Sequence, residues 1–300
     1  MNTRKLLSWL PFERFRNPPP VVAVVPLKGV IGRLGPWQRG LTLDSIAPTL
    51  ERAFKLPSLT AVALVVNSPG GAPVQAAQIT RRIRALAEEH QIKVFAFAED
   101  VAASGGYWLL TAGDEIYADE SSLVGSIGVV SAGFGFPEFL KRFGIERRVY
   151  VSGEHKAGLD PFQPEREEEV AHLRRIQADI HEAFRAHVRA HRQGKLKAGE
   201  DELFSGRFWS GRAALALGLI DGIADLRTLM RERYGARVRL LVIADGRRWW
   251  QRRLGLRSLA PGRRGLGQET AQPRAAAVED MTAGLLAVLD EHQLWQRYRL

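Results

Sequence analysis

Residues 93–108 read Lys93-Val94-Phe95-Ala96-Phe97-Ala98-Glu99-Asp100-Val101-Ala102-Ala103-Ser104-Gly105-Gly106-Tyr107-Trp108. Lys93 to Ala98 is an apolar run of strand length, and Tyr107 to Thr111 predicts a helix. Between them lie an acidic pair, three small residues, a serine and two glycines. The same order occurs just upstream. Ala61 to Val66 predicts a strand, Asn67-Ser68-Pro69-Gly70-Gly71 a turn, and Val74 to Glu89 a helix. Successive strand, Gly-rich turn and helix units predict an α/β fold with a parallel sheet. Both turns follow strands, so both belong at the carboxyl edge of the sheet, where such folds build their sites.

Working outward, Pro18-Pro19-Pro20 closes an N-terminal arm, Val21 to Pro26 predicts a buried strand of β-branched residues, and Leu43 to Lys55 a helix. Downstream, Pro137 to Phe143 predicts a short helix, Ile145 to Val151 a strand, and Pro164 to His191 a long helix whose acidic first turn, Glu165 to Glu169, suits the helix dipole. Ser210 to Leu217 and Leu226 to Tyr234 predict two more helices, and Arg237 to Ile243 a closing strand. A last amphipathic stretch runs from Val278 to Leu294. These boundaries divide the chain into an arm at 1–20, a main domain at 21–245 and an Arg-rich extension at 246–300.

The chain has 300 residues, no cysteine and a formal net charge of +10. Absence of cysteine excludes disulfides, thiol nucleophiles and Cys-ligated metal centres. Nearly all of the excess charge sits in one place: Arg231 to Leu266 holds eleven Arg against Glu232 and Asp245. Such a tail suits an anionic membrane surface or a solvated linker. No base-reading module accompanies it, so nucleic acid is not an expected partner. Leu6-Leu7-Ser8-Trp9-Leu10 is too short for a signal-peptide core, and no window reaches the roughly 18 to 20 apolar residues of a membrane-spanning helix. The expected location is cytoplasmic, or peripheral on the cytoplasmic face of the membrane.

Ser104, at a strand-to-helix junction, is either an ordinary helix N-cap or a nucleophile beside helix N-terminal amides able to hold an oxyanion. A nucleophilic serine needs a base. His172, His181, His187 and His191 all fall on the long polar helix, where a solvated face accounts for them. No Gly-x-Ser-x-Gly elbow is present to support a Ser-His-Asp hydrolase. Lys156 lies in the turn-rich Ser152-Gly153-Glu154-His155-Lys156-Ala157-Gly158 and reads as a surface lysine or as a base kept neutral by burial. The Asn67 to Gly71 turn is a plain Pro-Gly turn, or a means of bringing the bare Gly71 N–H to a reacting carbonyl. Small and aliphatic residues near Ser104, namely Val101, Ala102 and Leu123, predict an apolar substrate pocket without a charge to receive a basic side chain.

Taken together, Asn67-Ser68-Pro69-Gly70-Gly71, Ala103-Ser104-Gly105-Gly106-Tyr107, Gly125-Ser126-Ile127-Gly128-Val129 and Ser152-Gly153-Glu154-His155-Lys156 resemble the serial motifs of signal peptide peptidase A, the S49 serine peptidases of half length. Phe204 to Ala213, running into Leu217-Gly218-Leu219-Ile220-Asp221, also resembles that family. The resemblance implies a ClpP/crotonase-like fold of repeated β-β-α units and a Ser/Lys dyad of Ser104 and Lys156. It implies an oxyanion hole at Gly71 and Gly105, and Ser126 as the hydroxyl that orients the lysine. It implies peptide substrates, no cofactor or metal, and a homo-oligomeric, octameric ring whose active sites are completed between protomers. Competing readings are an acyl-CoA hydratase or thioesterase on the same fold, and a non-catalytic peptide-binding membrane scaffold.

Overall fold

The computed structural model describes residues 18–33, 40–153 and 155–243. The N-terminal arm up to residue 17, the Arg-rich extension and the Val278 to Leu294 stretch lie outside the described residues. Five strands make the main body of the sheet: β1 (Val21–Lys28), β2 (Leu59–Ser68), β3 (Lys93–Ala103), β4 (Glu115–Ala118) and β5 (Leu123–Gly125). Three short strands extend it: β6 (Phe208–Ser210), β7 (Gly222–Ile223) and β8 (Arg239–Val242). The order is β6-β5-β3-β2-β1-β8, with β4 beside the first half of β3 and β7 beside β4. Every pairing is parallel except β5 with β6. The α/β fold class and its parallel sheet are therefore as the sequence predicts.

Central strands buried on both faces explain the continuous apolar runs. One face packs on α1 (Leu43–Phe54), α2 (Pro73–His90), α3 (Gly105–Leu110) and α5 (Glu167–His191) through Leu27, Leu50, Leu64, Ile79, Ile83, Leu109, Phe184 and Val188. The other face, with Val22, Val24, Val65, Phe95 and Phe97, is covered by Leu229 and Met230 of α8 (Leu226–Tyr234). The remaining helices are short: α4 (Pro137–Arg142), α6 (Glu200–Leu203) and α7 (Gly211–Ala216).

Strand β3 outlasts its predicted end because the acidic pair is satisfied across the sheet. Lys28 Nζ lies 2.5 Å from Glu99 Oε2, and Asn67 Nδ2 donates to Asp100 Oδ2 at 2.8 Å. The first half of β3 pairs with β4 and its last three residues, Val101 to Ala103, with β5. The sheet thus divides at Glu99 and Asp100, and the part of β3 beyond the division runs into Ser104. The predicted strand at Ile145 to Val151 does not form. Alternation is present, but no neighbouring strand offers a ladder there, and Ile145, Tyr150 and Val151 stand 54%, 91% and 50% exposed. Strands β4 to β7 are too short to give a sequence signal.

Candidate active site

The junction between β3 and α3 is an elbow. Ser104 has φ 52° and ψ −121°, a region that residues with a Cβ rarely occupy and that holds only when the surroundings enforce it. They do so through Ser104 N, which donates to Gly125 O at 2.8 Å, and through Ser104 O, which accepts from Trp108 N at 3.1 Å. The first bond ties the elbow to the end of β5. The second starts α3. Ser104 is half-buried, and its side chain makes no helix-capping bond, so the simple N-cap reading fails.

The Pro-Gly-Gly turn is pressed against this elbow. A Cβ built on Gly70 would come within 2.8 Å of Ser104 Cβ and 3.0 Å of Gly105 N, and one on Gly105 within 3.5 Å of Gly71 N. Only glycines permit this approach. The turn is held by Ile31 of the loop after β1: Ile31 N donates to Gly70 O at 2.7 Å and Ala72 N to Ile31 O at 2.8 Å. Between those two bonds the Gly71 N–H is left without a partner among the described residues, as is that of Gly105 at the start of α3. Two undirected amide donors therefore flank a strained serine, the arrangement that acyl transfer requires for a tetrahedral oxyanion.

Helix α3 is anchored on both sides. Tyr107 is fully buried, and its hydroxyl donates to Leu219 O at 2.8 Å. The adjoining turn is clamped by Arg192, 2% exposed, which donates to Gly218 O through Nε and Nη2 and to Asp221 Oδ2 through Nη1. Burial raises the Asp221 pKa, but the bonds from Arg192 and Lys195 outweigh it and hold the carboxyl below its ordinary value. On the opposite side Trp108 stacks on Phe184 at 4.7 Å and on His187 at 4.6 Å. His187 is consequently not on a solvated face, contrary to expectation. It is half-buried, bonded to Thr111 Oγ1 at 2.7 Å, with its pKa lowered to about 3, first by burial and then by His191 and Arg81. Among the described residues no group of three or more acids or histidines is placed to hold a metal ion.

Of the other predicted site residues, Ser126 follows Gly125, has φ 53°, and donates its N–H to Arg207 O at 2.7 Å, which brings it to the same sheet end as Ser104. Val101 and Leu123 are register partners across β3 and β5, whereas Ala102 is fully buried in the helix-covered core. Lys156 lies apart. It is exposed, in a turn where its N–H donates to Gly153 O at 3.1 Å, and no bond joins it to Ser104 within the protomer. Ile31 completes the elbow although no sequence motif marks it, because its role arises from a contact between separate loops, while Ser68 and Gly70 lie in the Asn67 to Gly71 motif, which assigns neither a role.

Residues 87–236 match the family described as Peptidase family S49. Among curated proteins, the chain is 50% identical over 296 residues to a Na(+)/H(+) antiporter NhaA of Brucella abortus, covering 98% of this chain and 39% of that protein. It is 31% identical over 211 residues to Protease 4 of Haemophilus influenzae, covering 70% of this chain and 34% of that protein. The chain thus spans well under half the length of these two relatives. Among solved structures, the 1510-N membrane-bound stomatin-specific protease, solved as a mutant with a substrate peptide, superposes with a TM-score of 0.47 at 15% identity, covering 76% of this chain and 93% of that one. The family match spans the elbow, Ser126 and Lys156, and on it the chain belongs to the S49 peptidases.

Proposed function

We propose that the chain is a serine endopeptidase in which Ser104 is the nucleophile and Lys156, supplied by a second copy of the chain, is the general base. The observation that carries this is Ser104 in its strained elbow between the unpartnered N–H groups of Gly71 and Gly105. In the reaction the neutral Lys156 amine takes the Ser104 hydroxyl proton as Oγ attacks the peptide carbonyl. The two amides hold the oxyanion, and collapse expels the amine, which takes the proton back from the ammonium. Water then hydrolyses the acyl-enzyme by the same route. Ser126 orients the lysine. Val101 and Leu123 favour small or medium apolar side chains before the cleaved bond, as in fragments of signal peptides or membrane proteins.

Contribution of the lysine in trans is supported by its surroundings. Lys156 is exposed, and the segment before it presents Phe134, Phe139, Phe143, Ile145 and Tyr150 to solvent, an apolar surface suited to burial against another protomer in a ring such as an octamer. We further place the protein on the cytoplasmic face of the membrane as a peripheral component. Support comes from the Arg-rich stretch and from the antiporter-named relative, whose similarity over 98% of the chain includes that stretch.

Incubation with a fluorophosphonate probe followed by mass spectrometry should give a single adduct, on Ser104. Ser104→Ala and Lys156→Ala should each lower peptide turnover by about 10³-fold or more, and mixing the two under subunit exchange should restore part of it. Wild-type turnover by Lys156→Ala would sink the dyad, and a monomer with full activity would sink assembly in trans.

A further inference from the structure

Ser68 is the last residue of β2 and is fully buried. Its register partner is Ala102, two residues before Ser104, and the pairing is reached only after a register shift between Val66 and Ser68. That shift carries the end of β2 under the elbow. The Ser68 hydroxyl oxygen accepts from the N–H of Gly70 at 3.2 Å, and Gly70 is itself buried. On the other side, a Cβ built on Gly106 would lie 2.4 Å from Ser68 O and 3.3 Å from Ser68 Cβ. One residue therefore touches both loops that supply the unpartnered amides: the turn carrying Gly71 through its side chain, and the start of α3 carrying Gly105 through its main chain.

We propose that Ser68 is a positioning residue that sets the distance and direction of the Gly71 N–H relative to the Gly105 N–H. The inference rests on the reading of Ser104 as nucleophile and of those amides as its oxyanion hole. Gly70 has φ +109° and Gly71 φ +135°, a pair of left-handed residues that nothing intrinsic to glycine holds in one conformation. Ile31 secures the Gly70 carbonyl and the Ala72 N–H from outside. Ser68 secures the Gly70 N–H from inside. The Gly71 N–H itself makes no bond: it shares a planar peptide with the Gly70 carbonyl that Ile31 holds, and Ser68 fixes the peptide on the other side of the Gly70 Cα, so the direction of the free N–H is set by Ile31 and Ser68 together. Without the Ser68 hydroxyl, the buried Gly70 N–H has a reason to rotate toward another acceptor, taking the Gly71 amide with it. Alanine at this position would keep the close approach of Gly106 to the Ser68 main chain but supply no acceptor to the Gly70 N–H.

The test compares wild type, Ser68→Ala and Thr80→Val on an apolar peptide ester and on its thionoester, in which sulfur replaces the carbonyl oxygen. Sulfur is poorly stabilised by an oxyanion hole, so the ratio of oxygen to sulfur kcat reports the hole itself. Thr80 is the control: it is 1% exposed and donates to Trp108 O at 3.3 Å, so its loss disturbs α3 equally far inside the protein but not the Pro-Gly-Gly turn. Ser68→Ala is expected to lose about tenfold to a hundredfold in kcat on the ester, with little change in KM, and to lose a comparable part of the oxygen-to-sulfur ratio. Thr80→Val should lower the melting temperature with the ratio intact. Ser68→Cys, which keeps a weaker acceptor in the same place, should fall between wild type and alanine, and its ratio serves if Ser68→Ala does not fold. An unchanged ratio in a folded, active Ser68 variant would overturn the proposal, as would an equal fall in Thr80→Val. Failure of the peptidase reading is separate, since wild type would then hydrolyse neither substrate.

Discussion

Gly71 shows how narrow the tolerance of this site is. At φ +135° its backbone suits no L side chain, and an added Cβ would sit 2.1 Å from Ile31 O, a backbone atom that cannot give way without breaking the two bonds that define the turn. Gly71→Ala is therefore expected to lower kcat by about a hundredfold or more, the loss seen when one oxyanion donor is withdrawn, and to cost some stability as the loop shifts. Turnover normalised to folded protein checks this. Retained kcat would remove the Gly71 amide from the reaction. The sequence motif made this glycine conspicuous, but it gave no hint of the cause, which is a carbonyl forty residues upstream in a different loop. Ser104 presents the same lesson. Its place at a strand-to-helix junction is readable from the pattern of residues 93–108, although the strand runs five residues beyond its predicted end at Ala98, whereas the positive φ that separates an elbow from an N-cap is a property of the packed turn.

At the scale of elements, α3 is six residues long and depends on its neighbours for its position. The stack of Phe184, Trp108 and His187 fastens it to α5, and this contact titrates. His187 has a folded pKa lowered to about 3, below the ordinary value of 6.5, so between those values the unfolded chain binds a proton that the folded chain does not. Stability from this group is fully present above about pH 6.5 and is lost as pH falls toward 3, with a slope of at most about 1.4 kcal/mol per pH unit, less for partial solvent access. The carboxylates with lowered pKa, Glu51, Glu200 and Asp221 among them, lose their contribution only below their unfolded values near 4. The interval from pH 6.5 to 4.5 therefore separates histidine from the carboxylates, and substitution of His187 alone assigns its share. His187→Phe, which keeps a ring in the stack, should flatten the fall in urea midpoint over that interval, and an unchanged slope would show that the imidazole is not held neutral. The long α5 was legible from its periodicity, as were α1, α2 and α8. The buried role of His187 was not, because helical spacing alone cannot tell which stripe of a polar helix meets a tryptophan from elsewhere.

At the scale of the whole molecule, the body and the ends differ in kind. The body is an ordinary two-faced sheet, and among the described residues no helix is long and apolar enough to cross a membrane. The segment at 246–300 holds ten Arg against five acidic residues, half of the chain's excess charge, and Trp249 and Trp250 stand among Arg247, Arg248, Arg252 and Arg253, followed by Leu254 and Leu256. Aromatic and basic residues interleaved in this way favour an anionic lipid interface, where each Arg near the surface contributes about 1 kcal/mol at low salt. Replacing those four arginines by glutamine in the full chain should then weaken sedimentation with phosphatidylserine vesicles by at least about a hundredfold. Binding of the wild type should fall steeply as salt is raised, because the Debye length shortens from about 10 Å at 0.1 M to about 3 Å at 1 M. Neutral vesicles should bind neither form. Equal sedimentation of wild type and the four-Gln variant would remove this stretch from membrane attachment. Binding that depends on these arginines would bring the proposed place of cleavage, at the carboxyl edge of the sheet, to an anionic surface.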